Sequence, residues 1–250
     1  MERHADTALY EPIRLALHRQ ELSTEAVFAW VHTAAYAALQ QTCSRILHPR
    51  ELAQYEQCTV PRRKTSFLLG RYAAKQALAV LLREPVYANI EIAPGVFLQP
   101  IVKFPTPEPV GVSITHAGEL ACALAFPQIH PMALDVERLD AKNLEAMQSQ
   151  MLPEELRPEA LPQLSELVRC TVLWTAKEAL SKVLQCGMMC PFTLLETVAL
   201  RRDASCYVGY FRHFGQYKFH AWVLHDHVLT IVLPKWTTLD VDLTARSISG

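Results

Sequence analysis

At 250 residues, half of them apolar, the chain is long enough to bury a substantial interior and is read as one large domain or two small ones packed together. A formal net charge of −1 excludes a general polyanion binder, so a basic site for an anionic partner has to be local. The seven cysteines are scattered, with Cys186 and Cys190 the nearest pair; they form neither a zinc module nor a disulfide framework and read as reduced thiols of a cytoplasmic protein.

The chain opens with MERHADTALYEPIRLALHRQ, which has acids and histidines where a secretion signal needs a basic region and an unbroken apolar run, so no export is expected. AVFAWVHTAAYAALQQ is interrupted by His32 and Thr33, falls short of the ~20 apolar residues of a membrane span, and is read within a helix over 24–41. A second helix is expected over 66–83, stopping before Pro85. Just upstream stand Arg62, Arg63 and Lys64, with Thr65 or Ser66 as N-cap. Guanidinium groups beside the free N–H groups of a helix start suit a phosphate, although a solvated basic turn explains the same residues.

The texture then turns to strands. NIEIAPGVFLQPIVKF carries turn signals at Pro94 and Gly95, and GVSITHAGELACALAF reads as a hairpin about His116–Glu119. In its second strand Leu120, Cys122, Leu124 and Phe126 alternate with Ala121, Ala123 and Ala125, leaving one face small enough for a helix to lie close. Ser113, Thr115 and His116 sit at this hairpin, where hydroxyl and imidazole could donate to one anion; a lone turn histidine is more often structural.

A third strand, MALDVERL, sets Asp135 and Glu137 on one face roughly 7 Å apart, with Met132, Leu134 and Val136 on the other, buried one. Paired hard oxygen ligands suit Mg²⁺, but D-x-E alone equally describes a surface strand. LPEELRPEALPQ, 152–163, reads as a loop with short turns, followed by a helix over about 164–186. YKFHAWVL and VLTIVLP then form strands joined through His225, Asp226 and His227, whose imidazoles lack a further metal ligand nearby.

Helix followed by strands thus occurs twice, with no repeat visible at the level of residues. We read an α+β fold of two similar subdomains, each a helix-packed β-sheet, arranged as an intramolecular pseudodimer. The expected boundaries are 1–128 and 129–250, with the active site at the seam between them. Within the later helix, WTAKEALSKVL places Glu178 and Lys182 four residues apart, an ordinary surface pair worth ~0.2–0.5 kcal/mol. If that helix packs beside MALDVERL, Glu178 becomes a third carboxylate and Lys182 reaches the same spot, a combination suited to a diphosphate.

Taken together, RRKTSFLLGRYAAKQAL, GVFLQP, SITHAG, LDVE and WTAKEALSK resemble, in this order, the 4′-phosphopantetheinyl transferase superfamily, in its larger pseudodimeric type acting on synthase carrier proteins. The resemblance implies Mg²⁺-dependent transfer of 4′-phosphopantetheine from coenzyme A to a serine of an apo acyl or peptidyl carrier protein domain. It makes Asp135, Glu137 and Glu178 the metal ligands, with Mn²⁺ a substitute. Glu178 and Lys182 become the catalytic pair, Lys182 facing phosphate. Arg63 corresponds to a contact for the nucleotide 3′-phosphate and His116 to a phosphate contact; Lys64, Pro100, Ser113, Thr115 and Lys177 complete the coenzyme A site. Three departures stand out: Ala133–Leu134 precede Asp135 in place of a smaller pair, a bulkier approach expected to shift the strand; Leu98–Gln99–Pro100 lacks a common lysine; and Thr115 replaces a common serine. The expected partners are coenzyme A and a carrier protein, with no nucleic acid or membrane, and the expected state is a monomer. Two competing readings are a non-catalytic coenzyme A-binding or scaffolding protein on the same fold and another Mg²⁺-dependent phosphoryl-transfer enzyme. The latter is disfavoured by the lack of a P-loop or kinase-type glycine-rich loop.

Overall fold

The structure is a computed structural model that describes residues 9–157, 163–241, 243 and 244. The chain divides into two compact units, the first ending at His130 and the second beginning at Pro131. The first eight residues and the 158–162 part of the proline-punctuated loop lie outside the described residues.

The first unit runs β1 (Ile13–Arg19), β2 (Leu22–His32), α1 (Tyr36–Gln41), α2 (Cys43–Ile46), α3 (Pro49–Gln57), α4 (Pro61–Leu82), β3 (Glu91–Pro94), β4 (Pro100–Lys103), β5 (Val110–Ala117) and β6 (Leu120–Pro127). Its main sheet has the order β1-β2-β6-β5, antiparallel throughout, while β3 and β4 form a separate hairpin. The helix expected over 24–41 is overturned for its first part, which is the strand β2. Val27, Phe28, Trp30 and Val31 are β-branched or aromatic and are buried on both faces of a central strand. Such a strand loses its alternation and resembles a helical apolar run. The small face expected of β6 is present: Ala121, Ala123 and Ala125 share a core with Ala73, Ala74 and Ala77 of α4, so helix and sheet approach closely with little volume to fill.

The second unit runs β7 (Ala133–Arg138), α5 (Leu144–Gln148), α6 (Glu166–Val183), β8 (Thr197–Asp203), β9 (Cys206–Phe211), β10 (Tyr217–Leu224), β11 (His227–Pro234) and β12 (Thr238–Asp240). β7, β11, β10, β9 and β8 form its antiparallel sheet in that order. Ser165 caps α6, its side chain accepting from the Val168 N–H. α6 covers the sheet through Val172, Ala176, Ala179 and Leu180, which share a core with Phe219, Ala221, Val228 and Val232. Ala133 and Leu134 are both buried, and the pairing of β7 with β11 continues unbroken from Val232 opposite Ala133 to His227 opposite Arg138.

The twofold recurrence, which the sequence does not show residue by residue, is visible in the strand register. In each unit the strand before the long helix pairs antiparallel with the second strand of a later hairpin, β2 with β6 and β7 with β11. Counting from the hairpin turns matches His32 to Arg138, Glu119 to Asp226, and Gly118 to His225, the last two both in the left-handed region. His32 pairs with Glu119 at 3.1 Å and Arg138 with Asp226 at 3.2 Å. The repeat hides in the sequence because most matched residues differ in type. Among the described residues no helix is long and apolar enough to cross a membrane, and all seven cysteines are free thiols.

Candidate active site

In the second unit the register of β7 sets Asp135 opposite Thr230. The Thr230 hydroxyl lies 2.7 Å from that of Thr175 on α6, tying the helix over this point of the sheet. Asp135 is consequently buried, at 3% exposure, and the sequence expectation of one buried and one open face for β7 is corrected. Lys182, two turns along α6 from Thr175, donates to Asp135 Oδ1 at 2.7 Å and to the Leu134 carbonyl at 3.2 Å. Glu137 on β7 and Glu178 on α6 are half-buried.

These groups sense one another. Burial, then the charges of Asp135 and Glu178, push the Glu137 carboxyl up to about 7, against a hydrogen bond from Trp174 and the charge of Lys182. Burial and Asp135 likewise raise Glu178, opposed by Lys182. The helix thus lies as the sequence argument required, with Glu178 and Lys182 toward the β7 acids. No group of three or more His, Cys, Asp or Glu side chains among the described residues forms a ready cation cage, since like-charged carboxylates do not close on one another and Asp135 is engaged by Lys182. The donor chemistry nevertheless fits a hard divalent cation: oxygen ligands only, in a half-buried place where burial first, then the neighbouring carboxylates, disfavour the charged form of Glu137.

Two residues that sequence reasoning missed belong here. Trp174 favours the charged form of Glu137, and its ring packs on Phe192 with centroids 5.1 Å apart; the signal was its position four residues before Glu178, on the same helix face. The second is Glu155, which explains Lys177. The expectation that Lys177 frames the pantetheine and phosphate region is corrected: its ammonium is fully buried and donates to Glu155 at 2.7 Å, the Phe192 carbonyl at 3.0 Å and the Gln150 carbonyl at 3.2 Å. Three donors meeting three acceptors leave nothing for a ligand.

In the first unit α4 begins at Pro61, with Val60 as its N-cap residue, so Arg62, Arg63 and Lys64 lie in the first turn and Thr65 and Ser66 are not caps. Proline at the first position is preorganised for a helix start, which the sequence reading overlooked. Arg63 is exposed, and the Lys64 ammonium lies 4.7 Å from the centroid of the Tyr55 ring. His116, also exposed, directs Nε2 to the Ser66 carbonyl at 2.7 Å. Ser113 and Thr115 are buried and, by the two-residue period of β5, stand on the opposite face from His116, so the expected shared anion contact is not built. Pro100 opens β4 opposite Pro94. The preceding turn closes through Gly95 N–H to the Gln99 carbonyl at 2.7 Å and leaves Leu98 81% exposed.

The model of the 4′-phosphopantetheinyl transferase superfamily matches residues 131–232, the stretch that holds β7 and α6. A holo-[acyl-carrier-protein] synthase of Streptococcus agalactiae serotype III (strain NEM316) is 34% identical over 99 residues, covering 36% of this chain and 81% of its own length. The chain belongs to the 4′-phosphopantetheinyl transferase superfamily. Among solved structures, this member of the superfamily is similar to a holo-(acyl-carrier-protein) synthase from Bacillus anthracis str. Ames in complex with CoA, at 22% identity and a TM-score of 0.37 over 45% of this chain and 96% of that one. The Helicobacter pylori holo-[acyl-carrier-protein] synthase in complex with coenzyme A gives 18% identity and a TM-score of 0.35 over 41% and 98%.

Proposed function

We propose that this transferase moves the 4′-phosphopantetheine group of coenzyme A onto a serine of an apo acyl or peptidyl carrier protein domain, releasing adenosine 3′,5′-bisphosphate. The observation that supports this most is the meeting of Asp135, Glu137 and Glu178 with the Lys182 ammonium on two elements of one unit. Asp135, Glu137 and Glu178 would hold Mg²⁺, or Mn²⁺ in its place, and when bound the ion supplies charge neutralisation at the diphosphate. The serine Oγ attacks the β-phosphorus and forms a P–O bond as the bond from that phosphorus to the bridging oxygen breaks, the oxygen leaving with the nucleotide. Glu178 is the carboxylate assigned to accept the serine proton. Lys182 adds a fixed positive charge facing the phosphates. Arg63 and His116 are assigned to the phosphates of coenzyme A, with Lys64 and Pro100 beside them, each to be tested singly. We place the protein with the larger, two-subdomain members of the superfamily, working as a monomer in the cytoplasm.

The test is to incubate the protein with Mg²⁺, coenzyme A and apo carrier proteins and to weigh the carrier. A phosphopantetheine-sized gain on serine is expected. Asp135→Asn and Glu178→Gln should each lower transfer by roughly 100-fold or more while the protein stays folded. Near-normal turnover in either variant overturns the site assignment. Coenzyme A binding with no mass gain on several carriers would instead support a scaffolding role.

A further inference from the structure

The buried lysine of α6 has a twin. Lys75 of α4 is likewise fully buried and donates to Glu51, the Ile90 carbonyl and, at 3.1 Å, the Tyr87 carbonyl. The two acids match in detail. Glu51 Oε2 accepts the N–H of His48, three residues before it, at 2.9 Å, and Glu155 Oε2 accepts that of Leu152, also three before it, at 2.9 Å. The other oxygen takes a later backbone N–H in each unit: Ile92 at 3.3 Å for Glu51 and Thr197 at 2.8 Å for Glu155. Aligning the lysines sets YAAKQALAV of α4 against WTAKEALSK of α6. Gln76 then matches Glu178, and Val80 matches Lys182.

Each pin ties a long helix to two separate stretches of chain, α3 and 87–90 for Lys75, and 150–155 and Phe192 for Lys177. Desolvation disfavours each buried ammonium, and the carboxylate opposes that effect in part. The pins differ in two respects: Glu51 is also paired with Arg71 at 2.9 Å, and the residue after the lysine is Gln76 in one unit and Glu178 in the other. On a helix, neighbours stand ~100° apart, so fixing the direction of Lys177 fixes that of Glu178; at a radius of ~6 Å a rotation of 10° swings a side-chain atom by about 1 Å. A cation held by hard oxygen ligands is sensitive to displacements of that size.

Resting on the function proposed above, we infer that Lys177, through Glu155, is a positioning residue: the pin sets the rotation of α6 and so the direction in which Glu178 meets the β7 acids. Lys75, beside the uncharged Gln76, provides the control within the same molecule. The experiment is titration of the full chain with Mn²⁺ in the presence of coenzyme A, followed by electron paramagnetic resonance, with thermal melts alongside. Lys177→Met is expected to weaken Mn²⁺ binding by about 10-fold or more, the effect of removing a group that supports a ligand. Lys75→Met, which leaves Glu51 paired with Arg71, is expected to lower the melting temperature less and to leave Mn²⁺ affinity within twofold. Should Lys177→Met not accumulate folded, Glu155→Gln, which keeps an acceptor for Thr197 and removes both the charge and the acceptor that Lys177 and the Leu152 N–H share, decides alone. Equal weakening in Lys75→Met and Lys177→Met, or unchanged affinity in Glu155→Gln, overturns the assignment. Wild-type protein that binds no Mn²⁺ overturns the metal reading itself, a distinct result.

Discussion

On α4, the hydrogen of Gly70 leaves room that the His116 ring fills: a Cβ there would lie 2.7 Å from Nε2 and 3.1 Å from Ile114 Cγ2. Because Nε2 faces the Ser66 carbonyl, which only accepts, that nitrogen carries the proton. Gly70→Ala gains about 1 kcal/mol of helix propensity and loses a hydrogen bond of about the same worth, so the melting temperature should hardly move. The ring, however, must leave. Calorimetry of coenzyme A binding should therefore show Gly70→Ala as weakened as His116→Ala, and the double variant no weaker than either; normal binding by Gly70→Ala would show that this packing does not hold His116. At this scale much of the site was legible. Asp135 and Glu137 two apart on a strand, and Glu178 and Lys182 four apart on a helix, carry the period of their elements in their numbering. Glu155 was illegible because it lies in a proline-rich loop with no period, and Lys177 was misjudged because a lysine gives no sign in sequence of being buried.

Strands and helices were legible where their pattern was undisturbed. α4, α6 and the β5–β6 and β10–β11 hairpins followed from turn residues and apolar periodicity. β2 misled because its centre is buried on both sides, and β8 was missed because its pairing with β9 shifts between Val198 and Arg201, with Ala199 in the left-handed region. A bulge of this kind breaks the alternation by which a strand is recognised. The neighbouring pair of β9 and β10 makes a sharper claim. Gly209 lies opposite Phe219, and a Cβ there would sit 2.3 Å from the buried ring. Phe219 is wedged in the core and has no room to yield, unlike the exposed His116. Gly209→Ala should cost about 1–3 kcal/mol in urea denaturation; a neutral result would mean that the ring is freer than its burial indicates.

For the molecule as a whole, acid is the expected point of weakness. His220 of β10 is driven down to about 4 by burial first, then by Lys218 and Arg201, against the pull of Asp203. Burial and Arg19 lower His130 in the first unit as well. An imidazole depressed on folding is neutral in the native state and takes its proton on unfolding, so its contribution is complete above the unfolded value of 6.5 and is lost as pH falls from there toward 4. Denaturation midpoints should decline over that window, with His220 responsible for up to roughly 3 kcal/mol. His220→Phe should flatten the decline, and an equally steep one in that variant would assign the acid sensitivity elsewhere. The twofold plan was legible in the recurring order of helix then strands but not residue by residue, since register and hydrogen bonds preserve it while most residue types differ.

Those differences are uneven. Where one copy of the plan sets Ala29, Val31, Gln76 and Val80, the other sets Asp135, Glu137, Glu178 and Lys182. On the function proposed above, the second copy has to keep mutually repelling groups side by side, a demand that the uncharged matched positions of the first copy do not face. Gains in robustness are therefore to be sought before residue 130, and tolerance to change is scarcest after it.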